Sequence, residues 1–246
     1  MKMHCRIGNF NMEKCMCRIC ICISKICLLV FFILPAFGAF SQLNNPQPSY
    51  TRERKISSFR EIFDLKQGVL LVMLHTKQSK IDALRSLGRA TEADELEFKQ
   101  AKKNKGIIKA FRMHFDYCPV YFFSNVEADK IIQGKISALS FVNDSLDEDP
   151  SIRPNTEKCL FAEFGIIADD NSGSLKNVPV LVLEDKKLHP LKKPFPYYKM
   201  IIEDEDRIFD INNIMIQFNE SLYEFNKTAK RRILKPKFEK YFEREQ

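Results

Sequence analysis

Six consecutive apolar residues, Val69-Leu70-Leu71-Val72-Met73-Leu74, narrow the folds open to this chain more than anything else in it. The run does not alternate, follows a glycine and precedes a polar cluster, so it reads as a strand buried on both faces. A strand of that kind needs neighbours on either side and helices above it. Ser57 or Ser58 can cap a short helix ahead of it that carries Phe59, Ile62, Phe63 and Leu65 and closes at Gly68.

Beyond the strand, Ser79-Lys80-Ile81-Asp82 and Thr91-Glu92-Ala93-Asp94 both have the form of a capping box. They predict a helical stretch from Ser79 to Phe115 with breaks near Gly88 and Gly106. Its charged middle, Glu95 to Lys105, is expected to project into solvent. Pro119 to Phe123 reads as a second strand, Ala128 to Ile132 as a short helix and Ile136 to Val142 as a third strand. Strand alternating with helix favours a parallel sheet with right-handed crossovers. Cys159 to Ala168 and Val178 to Glu184 read as strands around the turn chemistry of residues 169–174, giving an antiparallel extension. A Pro- and Lys-rich loop then runs from Lys186 to Tyr198. Ile211, Ile214, Met215, Phe218, Leu222 and Phe225 recur at steps of three and four, predicting an amphipathic helix. The expected fold is therefore α/β: a mainly parallel sheet flanked by helices, with an antiparallel extension, as a three-layer sandwich.

Composition permits that fold: 246 residues, 45% hydrophobic and 29% charged, are neither disordered nor low-complexity and suit one domain. The first 41 residues differ in kind. Lys2, Arg6, Lys14, Arg18 and Lys25 face a single Glu13, and an uncharged apolar run from Ile26 ends in Ala39-Phe40-Ser41. A basic start, a short apolar core and a small-x-small exit make a secretory signal, cleaved after Ser41. The alternative is a retained single anchor, although the run is short for a bilayer core of about 30 Å. The organisation read from the sequence is a signal at 1–41, an extended leader at 42–56, one α/β domain at 57–230 and a basic tail at 231–246. Removing the signal lowers the net charge from +7 to +3, which weakens any nucleic-acid reading. Six of the eight cysteines leave with it, including the C-x-x-C of Cys17 and Cys20.

Motifs that carry familiar chemistry are missing. The isolated glycines build neither a dinucleotide fingerprint nor a phosphate loop, and no nucleophile elbow or zinc-protease motif is present. No cofactor is expected. His75, His114 and His189 have no ligand-like neighbours in sequence, and the acidic runs at 144–149, 169–170 and 203–206 lack the calcium-loop spacing. Cys118 and Cys159, both at strand starts, either pair in an oxidising compartment or stay as buried free thiols. Glu163, set inside an apolar strand, is the carboxylate open to burial and a raised pKa, against an edge position or a lysine partner. Lys192-Lys193-Pro194-Phe195-Pro196-Tyr197-Tyr198 combines cations, stiff prolines and aromatic rings. Lys192, Lys193, Phe195, Tyr197 and Tyr198 are the binding candidates, the alternative being that Phe195 and Tyr197 fold back over the core.

With the stretches Phe40-Ser41-Gln42, Gly68 to Val72, Phe115 to Phe123, Ala162-Glu163-Phe164-Gly165 and Lys193 to Tyr198 in view, the chain resembles a family of exported bacterial proteins with no assigned function. The resemblance spans most of the mature chain and implies export from a Gram-negative-type cell, with no catalytic residues to carry over. Asn177 to Val182, with a proline ahead of a strand, is loosely similar to thioredoxin-like folds, without their C-x-x-C in the mature region. The leading expectation is an exported envelope or secreted domain, non-enzymatic, that binds an envelope protein or an anionic polymer through the Lys192 to Tyr198 loop and the Glu95 to Lys105 projection. It would meet a membrane only through an uncleaved leading segment. The alternatives are an enzyme, hydrolase-like, built from Glu163, His189, Lys193 and Tyr197, or a thiol-dependent redox protein using Cys118.

Overall fold

The structure is a computed structural model that describes residues 50–168, 177–200, 211–235, 238 and 241–242; the leading segment, the acidic turn at 169–174 and the acidic run at 203–206 lie outside the described residues. The elements are α1 (Arg52–Gln67), β1 (Val69–Leu74), α2 (Gln78–Ser86), α3 (Ala90–His114), β2 (Val120–Ser124), α4 (Ala128–Ile132), β3 (Phe141–Val142), β4 (Cys159–Ala168), β5 (Asn177–Glu184), β6 (Tyr198–Met200) and α5 (Ile211–Ile233). They form an α/β fold around one six-stranded open mixed sheet in the order β3-β2-β1-β4-β5-β6. β1 pairs parallel with β2 and with β4, while β3, β5 and β6 run antiparallel to their neighbours.

β1 is central, and all six of its residues are buried. Leu70, Val72 and Leu74 face a cluster built with Phe59 and Ile62 of α1, Ile107, Ile108 and Phe111 of α3, and Met215, Phe218 and Leu222 of α5. Val69, Leu71 and Met73 face a second cluster with Phe161, Ile131 of α4, Leu139 and Phe141. Alternation along a strand divides the apolar run between two cores, which explains why no polar residue interrupts it. Among the described residues the three long helices share one face of the sheet; the opposite face carries the five-residue α4 and the loop segments beside it.

Several sequence expectations need correcting. β4 was expected in the antiparallel extension, yet it is the third parallel strand, with Val69 opposite Cys159 and Met73 opposite Glu163. The third strand expected at Ile136 to Val142 is a turn of 3-10 helix (Ile136–Ala138) followed by the two-residue antiparallel edge strand β3. Helix α1 begins within the expected leader, at Arg52, where Thr51 Oγ1 accepts from Arg54 N at 3.2 Å. The capping boxes do not cap: α2 and α3 start after Lys77 and Arg89, and neither residue makes a side-chain cap bond. Gly88 breaks the helical stretch with φ +74°, while Gly106 stays inside α3, whose remaining residues are mostly helix formers. Within the basic tail at 231–246, Phe238 is buried and its ring lies 5.7 Å from that of Phe59.

The Phe115 to Phe123 stretch is a structural joint. Asn219 Oδ1 accepts from the backbone of Asp116 and Tyr117, and Asn219 Nδ2 donates to Asp116 Oδ1 at 2.8 Å, tying the end of α3 to α5. Tyr117 is fully buried and its hydroxyl donates to Ile62 O at 3.1 Å. Among the described residues three buried side-chain atoms lack such a bond, Ser58 Oγ, Glu61 Oε2 and Asn226 Oδ1, and Ser58 is 0% exposed. A buried unpaired hydroxyl costs stability, so Ser58→Ala is expected to raise stability by about 1 kcal/mol. Urea melts of the two proteins check this, and a destabilised variant would mean that the hydroxyl has a partner after all.

Candidate functional site

β1 is flanked by the strand that follows it (β2) and by the strand that the chain reaches last among the parallel three (β4), so the direction of winding reverses between β1 and β4. In open α/β sheets, ligands settle outside the carboxyl ends of the strands at such a reversal. Here β1 stops at Leu74 while β4 continues past its last β1 pair at Glu163, leaving a crevice of about 540 Å³ over that step. Met73, His75 and Lys77 line one side, Glu163, Phe164, Gly165 and Ile166 of β4 another, and Gln100, Lys103, Asn104 and Ile107 of α3 the top.

Polar groups converge in it. His75 Nε2 lies 3.1 Å from Glu163 Oε2, both side chains partly buried. Asn104 Nδ2 donates to His75 O at 2.9 Å, and Gln100 Nε2 donates to Asn104 Oδ1 at 3.0 Å. Gln100 and Asn104, four residues apart on one face of α3, are both buried, so this wall is a built feature and not a solvated surface. Thr76 N and Oγ1 both donate to Asn125 Oδ1, which fixes the turn after His75 against the end of β2. The glycine at 165 makes room for the carboxylate, because a Cβ there would come within 2.9 Å of Glu163 Oε1. With its Nε2–H given to Glu163, a neutral His75 presents Nδ1 as an acceptor.

A second carboxyl lies on the same sheet face. Glu184 sits opposite Phe161, two pairs along from Glu163 and Val182. Burial, reinforced by the negative charges of Glu163 and Asp185, pushes its pKa up to about 8, so it holds a proton at neutral pH.

The residues singled out from sequence are dispersed. Phe195 is 1% exposed and packs 5.6 Å from the Phe225 ring, so it fills the core and is not available at the surface. Tyr197 and Tyr198 are half-buried, in edge contact at 4.8 Å. Lys192 and Lys193 are exposed; their carbonyls accept from the Arg54 guanidinium, which clamps the loop to α1. On α3, Phe98 is 70% exposed, but Gln100 and Asn104 turn inward, so the Glu95 to Lys105 stretch is only partly a projection. Of Glu163, His189, Lys193 and Tyr197, only Glu163 lines the crevice; His189 is exposed, 3.8 Å from Asp185. His75, Lys77, Gln100 and Asn104 were missed. The signal for His75 was its position directly after a strand buried on both faces.

Cys118 and Cys159 are free, buried thiols. A disulfide between them is excluded by register. Cys159 is opposite Val69, Cys118 lies two residues before the Val120 that pairs with Leu70, and β1 runs between. Two strand spacings, about 9.5 Å, exceed the Cα separation of about 7 Å that a bridge tolerates. Burial pushes the Cys118 thiol up to about 12 and raises Cys159 as well. Neither sulfur is a thiolate at neutral pH, which removes the nucleophile that thiol redox chemistry needs. Both are expected to resist a maleimide reagent in the native protein and to react at once in guanidinium, as mass spectrometry of the labelled peptides would read. Rapid native labelling of Cys118 would restore the redox alternative.

Among the described residues no three His, Cys, Asp or Glu side chains converge as metal ligands would, and no helix is long and apolar enough to cross a membrane. No protein-family model, curated protein or solved structure matches the chain.

Proposed function

We propose that this chain is an exported α/β domain that binds a small ligand in the crevice between the ends of β1 and β4. The observation that carries the binding reading is the His75–Glu163 contact inside a mostly apolar crevice at the reversal of the sheet. A ligand-sized cleft with a few fixed polar groups is the usual form of a small-molecule site. Export is read from residues 1–41 and from the resemblance to exported bacterial proteins. The same reading takes the fold as a three-layer sandwich with α4 on the minor face, and it leaves the exposed lysines of the 192–193 segment as a contact for an envelope partner.

The test has two arms. N-terminal sequencing of protein recovered from the envelope fraction should begin at Gln42; a start at Met1 in the cytosol defeats the export half. A fragment screen by thermal shift should give hits that Glu163→Gln weakens; hits indifferent to that change defeat the site. A second reading is favoured by the same contact, because a carboxylate-held imidazole is also a general base for attack by water. Hydrolysis of simple ester or amide substrates that His75→Ala abolishes would move the protein from binder to enzyme.

A further inference from the structure

The chemistry of the crevice lining narrows the ligand. We propose that the site takes an amphiphilic anion, a small carboxylate with a hydrocarbon body; this rests on the reading of the crevice as a ligand site. Its head lies at Lys77, and its body lies along Met73, Ile107, Phe164, Ile166 and Pro179.

Three features lead to this class. The first is the apolar wall, and above all Ile166, which stands at the rim 67% exposed. A large aliphatic side chain beside a cleft gains by being covered, at about 25 cal/mol per Å² removed from water. The second is the balance of charge. Lys77 brings an ammonium group to the crevice lining, and the carboxylate of Glu163 there already accepts from His75. A cationic ligand would be opposed by the Lys77 ammonium, and a neutral one would leave it unused. The third is the backbone of Lys77 itself. Its φ is +57°, a left-handed conformation that suits glycine and strains a lysine. The adjacent Thr76–Asn125 bonds hold that turn in place, so the strained residue delivers its side chain to the crevice mouth. Among the described residues the Lys77 ammonium makes no ion pair, leaving its charge for an incoming head group.

The probes are octanoate, octan-1-ol and octyltrimethylammonium, titrated calorimetrically into the purified native protein at one ionic strength and below their micelle concentrations. Octanoate is expected to bind at least about tenfold more tightly than the other two. Lys77→Gln should weaken octanoate about fivefold with the melting temperature unchanged, because the Lys77 side chain is exposed. Ile166→Asp should abolish the heat. Alcohol or ammonium binding as tight as octanoate, lost in Ile166→Asp, overturns the anion and leaves the crevice as the site. Octanoate binding untouched by Ile166→Asp places the ligand elsewhere and overturns both. No heat from any of the three overturns the anionic class alone.

Discussion

Raising the pH from about 5 to about 9 is expected to lower the stability of this protein, and Glu184→Gln should remove most of that dependence. Glu184 ionises at about 8 in the fold and near its ordinary 4.5 in the unfolded chain. Between those values the native state binds a proton that the unfolded state has released. Stability from this group is therefore complete below about pH 4.5 and is lost as the pH rises through 8. At about 1.4 kcal/mol per pKa unit the full transfer would cost about 5 kcal/mol, and relaxation around a partly solvated carboxyl reduces this to on the order of 3 kcal/mol. Glutamine keeps the shape without the proton, so the two proteins should melt alike near pH 5 and diverge near pH 9, with the variant the more stable. Parallel melting curves across the range would show that Glu184 is not desolvated. Asp116 acts in the opposite sense: the Asn219 amide holds its carboxyl below the ordinary value, so its small contribution fades only under acid.

The largest loss of stability is expected from Gly68→Ala. A Cβ at residue 68 would stand 1.7 Å from Lys158 O, and that oxygen accepts from Val69 N at 2.9 Å. Backbone meets backbone here, so no side chain can swing aside. The methyl group would prise β1 from β4 at the centre of the sheet, costing about 4 kcal/mol or preventing folding. Gly88→Ala is the control: its φ is +74° with nothing within 4 Å of the added Cβ, so only the conformational cost of about 1 kcal/mol applies. Equal losses in chemical denaturation would mean that the close approach at Gly68 is relieved elsewhere.

How much of this was legible in the sequence depended on whether the signal was local. The apolar run at 69–74, the strand at 159–168, the strand read at 178–184 and observed at 177–184, and the apolar stripe of α5 follow from periodicity and turn residues. Strand partnership did not follow. Whether β4 joins β1 or only β5 depends on packing between residues 90 apart, and the sequence order of strands and helices suggested the wrong third strand. Capping boxes failed because Lys77, fixed by the Thr76–Asn125 bonds, starts α2 before Ser79 is reached. The site was less legible still. Glu163 stood out as a carboxylate in an apolar strand, but His75 and Asn104 acquire meaning only once β1, β4 and α3 are brought together. The aromatic loop at 192–198 looked like a surface because prolines and lysines flank it; Phe195 instead satisfies the apolar demand of Phe225 on α5.

The measurement closest to the central claim is fragment mapping by NMR on protein labelled at the isoleucine methyls and histidine rings. Mixed small acids, amines and neutral fragments are added in turn, and the residues whose signals move with saturable dependence are recorded. The Ile107 and Ile166 methyls and the His75 ring should move together and first, with Ile62 and Ile131, buried in the two cores, unmoved. Saturable shifts centred instead on Ile136 and Ile152, beside the second cleft at residues 136–156, with His75 still, would contradict the assignment of the β1/β4 crevice as the binding site.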